Sequence, residues 1–314
     1  MRVRRAAFAA LVAVAVSGSA APIGGGSLAV AADAAAGDGP RKVAAVEYAT
    51  VKHERLLADV YLPDGVAAAG PRPVIVFIHG GGWMTGYRQD VPKEMVRFTD
   101  RGFVVVSIDY RCVQGNRFLD NVRDVKAAIR FLRANAEAFS IDPSRIALVG
   151  FAAGGHLAAL AGLAGGPLEG RVGDHVDTSS AVHALVSFQG PMNLATMLAQ
   201  PTPRGKGKHR VAVELLLGGP PEERQALAFV ASPVSHVRHD APPILLVYGA
   251  DDDQVPQQQG REMADAYARQ GAAAELVVID GAQHKSLLRF DDRRQRLLAD
   301  FLDRQFAAMD APAP

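Results

Sequence analysis

Apolar residues recur in two rhythms along the chain. Short runs rich in β-branched and aromatic residues, such as Val74 to Ile78, Phe103 to Asp109 and Arg145 to Val149, predict buried strands. Val182 to Phe188, Ile244 to Tyr248 and Leu276 to Ile279 read the same way. Lys42 to Thr50 and Leu56 to Tyr61 suggest an antiparallel pair at a sheet edge, leaving through a turn at Pro63-Asp64-Gly65. Between the strands lie helical patterns. Asn121 to Ala138 carries Val122, Val125, Ala128, Ile129 and Leu132 as one apolar stripe, with Asp124 on its edge. Val91 to Arg101 and Ala153 to Ala164 are the other predicted helices. Strands alternating with helices imply an α/β fold, a mostly parallel sheet covered on both faces, with chemistry at the strand C-terminal ends. From Met192 to Phe229 the pattern breaks into short pieces, which reads as a small cap over a pocket at about 192–229. The Lys- and Pro-rich stretch Pro201 to Arg210 inside it could meet an acidic substrate, or be a solvated loop.

The first residues follow a different pattern. Met1 to Arg5 is basic, Ala6 to Val16 is apolar, and small residues follow, with cleavage candidates after Ala20 and Ala31. This predicts an export signal, shorter than the roughly 20 apolar residues that span a bilayer. Residues 1–36 are therefore expected to be signal and flexible leader, and 37–314 one domain, exported and with no membrane anchor after signal removal. Arg4-Arg5 is only weakly twin-arginine-like, so the route stays open. Of 314 residues, 49% are hydrophobic and 21% charged, which suits a globular chain of this size. A net charge of +1 offers no field for nucleic acid. Cys112 is the only cysteine, which excludes an internal disulfide.

Four loops at predicted strand ends carry the chemistry. Gly150-Phe151-Ala152-Ala153-Gly154 is the Gly-x-Ser-x-Gly turn of a serine hydrolase with alanine at the nucleophile position. His79-Gly80-Gly81-Gly82-Trp83 follows the strand at Val74 to Ile78, and its glycines allow backbone N–H groups to approach a carbonyl oxygen. Asp251-Asp252-Asp253 follows the strand at Ile244, and His284 follows the last strand. The order of nucleophile position, acid and histidine is that of the α/β-hydrolases.

From about Val43 to the C-terminus the chain resembles the esterase and lipase branch of that fold, close to feruloyl-esterase-like and hormone-sensitive-lipase-like carboxylesterases. Val105 to Arg111, Gln189 to Leu194 and Ala231-Ser232-Pro233 add to the likeness. The resemblance implies an α/β-hydrolase fold, with Ala152 in the nucleophile position, Asp252 as acid and His284 as base. It makes Gly81, Gly82 and Ala153 the oxyanion hole and a small-molecule ester or acyl compound the ligand. No cofactor is implied, and the histidines lack metal-ligand spacing. Asp251 and Asp253 remain alternatives to Asp252. His79 is expected to brace its loop, His156 to pack, and Cys112 to be a buried inert thiol rather than a substitute nucleophile. Ala152 leaves two readings open. The chain is an esterase whose serine has been replaced, or alanine is native and the fold serves a lyase, a cyclase or a ligand-binding protein.

Overall fold

Alternation along the central strands sends their side chains into two separate cores. In the strand Arg72–Ile78, Val74, Val76 and Ile78 enter one core, while Ile75 and Phe77 enter the other. A strand buried on both faces must be apolar throughout, which is why these segments read as unbroken runs. Each such Val or Ile contributes roughly 1.5–3 kcal/mol on burial.

The computed structural model describes residues 40–64, 70–113, 118–203, 205–206, 210–287 and 289–310. The expected leader at 1–36 and Gly65 of the predicted exit turn lie outside them. The strands are β1 (Arg41–Val51), β2 (Glu54–Leu62), β3 (Arg72–Ile78), β4 (Val104–Ile108), β5 (Ile141–Phe151), β6 (Ala184–Phe188), β7 (Pro201–Thr202), β8 (Gly205–Lys206), β9 (Ile244–Gly249) and β10 (Ala274–Ile279). Eight of them form one sheet in the order β1-β2-β4-β3-β5-β6-β9-β10, and β7 pairs with β8 in a separate hairpin. The β1–β2 and β2–β4 pairs are antiparallel and the rest of the large sheet is parallel.

The helices are α1 (Lys93–Val96), α2 (Phe118–Ala134), α3 (Ala153–Leu163), α4 (Arg210–Leu217), α5 (Gln225–Val230), α6 (Gln258–Gln270), α7 (His284–Leu287) and α8 (Asp292–Asp310). Val122 and Val125 of α2, Leu157 and Leu160 of α3, and Met263 and Tyr267 of α6 fill one core. Met95 and Phe98, with Leu298, Phe301 and Leu302 of α8, fill the other. Helices thus cover both faces of a mostly parallel sheet, as expected. No helix among the described residues is long and apolar enough to cross a membrane.

Three local expectations change. The helix foreseen over Val91 to Arg101 is one α turn followed by a 3-10 turn, Arg97–Arg101, closed by Gly102 at φ 83°. Pro92 delays the start, and a left-handed glycine stops the helix by freeing its last carbonyls for turn bonds. The helix foreseen over Asn121 to Ala138 is α2, which is already helical at Phe118 and ends at Ala134. The strand foreseen to begin at Arg145 is already paired at Ile141, because the partner register jumps from Arg72↔Ile141 to Val74↔Ile146. Asp142 closes that bulge by accepting the Ser144 N–H (2.8 Å) and the Arg145 side chain (2.6 Å).

Between β6 and β9 the chain is broken as foreseen, into a 3-10 turn at Met197–Ala199, the β7–β8 hairpin, α4 and α5. Within α4, Ala212 and Val213 are buried. A side chain built on Gly82 would lie 3.7 Å from the Ala212 methyl, so α4 rests against the glycine loop.

Candidate active site

The turn between β5 and α3 is closed by backbone packed on backbone. Ala152 has φ 51° and ψ −118°, a conformation that costs a residue with a Cβ about 1–3 kcal/mol. Its N–H donates to Phe188 O (2.8 Å) and its carbonyl accepts from His156 N–H (3.0 Å). A Cβ on Gly150 would lie 2.1 Å from Gly154 O, and one on Gly154 would lie 2.0 Å from Ile78 O. Glycine is required at both positions. The sharp turn is present although no hydroxyl stands at its tip. Ala153 opens α3, where first-turn N–H groups have no acceptor within the helix.

The loop after β3 is a second strained segment. Gly81, Gly82 and Trp83 all have positive φ, at 102°, 62° and 61°. Gly81 O accepts from Met84 N (3.1 Å) and Thr85 N (3.2 Å). His79 braces the loop: its Nδ1 lies 2.8 Å from Gly80 O and its ring stacks on Tyr110 at 4.2 Å, while the Tyr110 hydroxyl donates to His79 O (3.1 Å). Burial lowers the His79 pKa.

Trp83 fastens this loop to the elbow helix. Its Nε1–H donates to His156 Nδ1 (3.1 Å), so His156 carries its proton on Nε2 and donates to Ala231 O (2.7 Å). Full burial drives the His156 pKa down to about 4. His156 is thus neutral, buried and bonded at both nitrogens, the packing role expected of it.

Among the three aspartates, Asp252 is the one against His284. Its Oδ2 lies 2.8 Å from His284 Nδ1, and its Oδ1 accepts from Gln254 N (2.8 Å) and Val255 N (2.9 Å). Asp252 is 1% exposed, whereas Asp251 is exposed and Asp253 half-buried. His284 opens α7, and its carbonyl accepts from Gln189 Nε2 (3.0 Å). Gln189 is fully buried and held at φ 50°.

A cavity of about 290 Å³ joins these pieces. Gly81, Gly82, Ala152, Ala153 and His284 line it, with Trp83, Met84 and Met197 forming apolar wall. Cys112 does not line it. Its half-buried thiol donates to Tyr110 O at 3.9 Å, and burial pushes its pKa up, which leaves it unreactive as a substitute nucleophile.

Sequence reading missed several supports. Gln189, Tyr110 and Trp83 sit inside motifs singled out for their likeness, but no local signal discloses their long-range partners. Asp124, read as the edge of the α2 stripe, is fully buried and binds Arg111 through Nε (2.9 Å) and NH2 (2.7 Å). Desolvation raises the Asp124 carboxyl to about 6 against the pull of Arg111.

The BD-FAE family model matches residues 58–267. The chain is 29% identical over 240 residues to a probable isoprenylcysteine alpha-carbonyl methylesterase of Arabidopsis thaliana, covering 75% of this chain and 50% of that protein. It spans about half the length of the curated relatives it matches. A truncated carbohydrate esterase from gut microbiota superposes with a TM-score of 0.75 at 29% identity, over 84% of this chain and 96% of that one. An esterase of Thermogutta terrifontis, solved with propionate bound, gives 0.69 at 28% identity, over 85% and 94%. The family model spans the glycine loop after β3, the elbow and the turn at Asp252, and the solved esterases superpose over most of this chain. The chain therefore belongs to the BD-FAE family of α/β-hydrolase esterases.

Proposed function

We propose that the protein is an exported carboxylesterase-type chain that holds a small-molecule carboxylic ester but, with alanine at residue 152, does not form an acyl-enzyme. One observation carries this reading. His284, backed by Asp252, shares a cavity with Gly81, Gly82, Ala153 and the methyl group of Ala152. In acyl transfer, a hydroxyl at position 152 would attack the ester carbonyl while His284 takes its proton and later gives it to the departing alcohol. Asp252 would hold the imidazole in the tautomer with its proton on Nδ1. The N–H groups of Gly81, Gly82 and Ala153 would receive the charge that develops on the carbonyl oxygen. A methyl group has no lone pair to attack with, so that route ends at binding. Export is supported by the basic and apolar segments of residues 1–36, and a covering role for 192–229 by the contact of α4 with the glycine loop.

Ala152 itself favours a second reading. His284 could take a proton beside a bound carbonyl, in a lyase or cyclase, or the cavity could serve binding alone. The Ala152→Ser variant separates the two. In an inactivated esterase, hydrolysis of p-nitrophenyl butyrate rises by about 10⁴ to 10⁶, the scale of nucleophile loss in subtilisin, and an acyl group is trapped on residue 152. A serine variant that folds and binds esters without that gain sinks the esterase reading in favour of the second.

A further inference from the structure

We propose that the cavity selects esters whose alcohol portion carries a negative charge, and that Lys285 is the residue that reads it. The proposal rests on the ester-binding reading above. Among the described residues, Lys285 is, apart from His284, the one basic residue lining the cavity, and no carboxylate lines it. Lys285 is exposed, and among the described residues no carboxylate pairs with it. Asp251 and Asp253 flank the acid turn without lining the cavity. The walls formed by Trp83, Met84 and Met197 are apolar and suit an uncharged acyl chain.

The side of the ester that meets Lys285 follows from the chemistry of its neighbour. The base that returns a proton to the leaving alcohol must stand beside that alcohol. Lys285 follows His284 in α7 and lines the same cavity, which assigns it to the alcohol side of a bound ester. A carboxylate or phosphate on that portion would meet an exposed ammonium group at the cavity mouth, an attraction worth up to about 1 kcal/mol.

The chain reports its own binding. Trp83 is its only tryptophan, is 2% exposed and lines the cavity. Its fluorescence is titrated with O-butyryl-lactate and with the isosteric neutral amide, O-butyryl-lactamide. A second pair, 1-butyryl-glycerol-3-phosphate and 1-butyryl-glycerol, distinguishes phosphate from carboxylate. In at least one pair the anion binds roughly threefold to tenfold tighter. The ratio falls as salt rises from 0.1 to 1 M, where the Debye length shrinks from about 10 to about 3 Å. It inverts in Lys285→Glu, which a merely structural role for Lys285 would not produce. Neutral esters that bind as tightly as their anions overturn the role of Lys285 and leave the ester site standing. Absence of binding by every compound overturns the ester site and the proposal with it.

Discussion

The elbow around Ala152 and the turn around Asp252 face one cavity, yet backbone contact shapes the first and side-chain hydrogen bonds shape the second. At the elbow, Gly150 and Gly154 admit carbonyl oxygens where any Cβ would collide, and Ala152 is held at φ 51° by its neighbours. Nothing there depends on the side chain of residue 152. Asp252 and His284, by contrast, are oriented by four side-chain bonds: one between them, two from the Gln254 and Val255 N–H groups, and one from Gln189. A site built in this way keeps its shape whatever small side chain stands at residue 152. It does not tolerate the loss of Asp252 so cheaply.

The strongest way to break the contrast is to introduce a hydroxyl at residue 152 and then remove the Asp252 carboxylate. In the Ala152→Ser chain, Asp252→Asn is expected to lower kcat for p-nitrophenyl butyrate by about 10⁴, because an amide favours the wrong histidine tautomer. The same change at Asp251 should leave kcat within a factor of a few. Equal losses at both positions would mean that the bond to His284 does not orient the base.

At the elbow the expected damage is to stability. Gly154→Ala forces a methyl group to within 2.0 Å of a backbone oxygen that no rotamer change can move. It should cost roughly 3 kcal/mol or more in denaturant unfolding. A cost near zero would show that the elbow is not held by backbone contact.

His156 is a buried side chain of the elbow helix, bonded to Trp83 and Ala231, and pH tests it. Its pKa falls from 6.5 to about 4 on folding, so between those values the unfolded chain binds more protons than the native one. Stability contributed by neutral His156 is present above pH 6.5 and drains away as pH falls toward 4, by roughly 3 kcal/mol in all. His156→Gln should flatten that part of the curve. A slope unchanged in the variant would assign it to other groups.

The smallest effect sharpens the point about residue 152. Ala152→Gly relieves the strain of a positive φ and gives back some of it as unfolded-chain entropy, for a net gain of about 1 kcal/mol in thermal unfolding. Destabilisation would mean that the methyl group packs usefully in the cavity wall.

Much of this site was legible from local pattern. The unbroken apolar runs, the glycine-rich loops behind them and the order of position 152, acid and histidine all follow from rules that act over a few residues. Buried strands must be apolar, tight bends need glycine, and exposed ends of parallel strands collect polar groups. Packing also decided which of three adjacent aspartates meets His284, since burial and an Asx turn can be judged only once β9 and α7 lie side by side. The pairings of Gln189 with His284, Trp83 with His156 and Arg111 with Asp124 join residues 95, 73 and 13 positions apart. No periodicity encodes such distances. Local pattern thus determined the sheet, the loops and the residue types that the cavity could contain, because those obey short-range sterics and solvation. Tertiary structure alone decided which donors and acceptors meet, because a buried polar group takes whichever partner the fold carries to it.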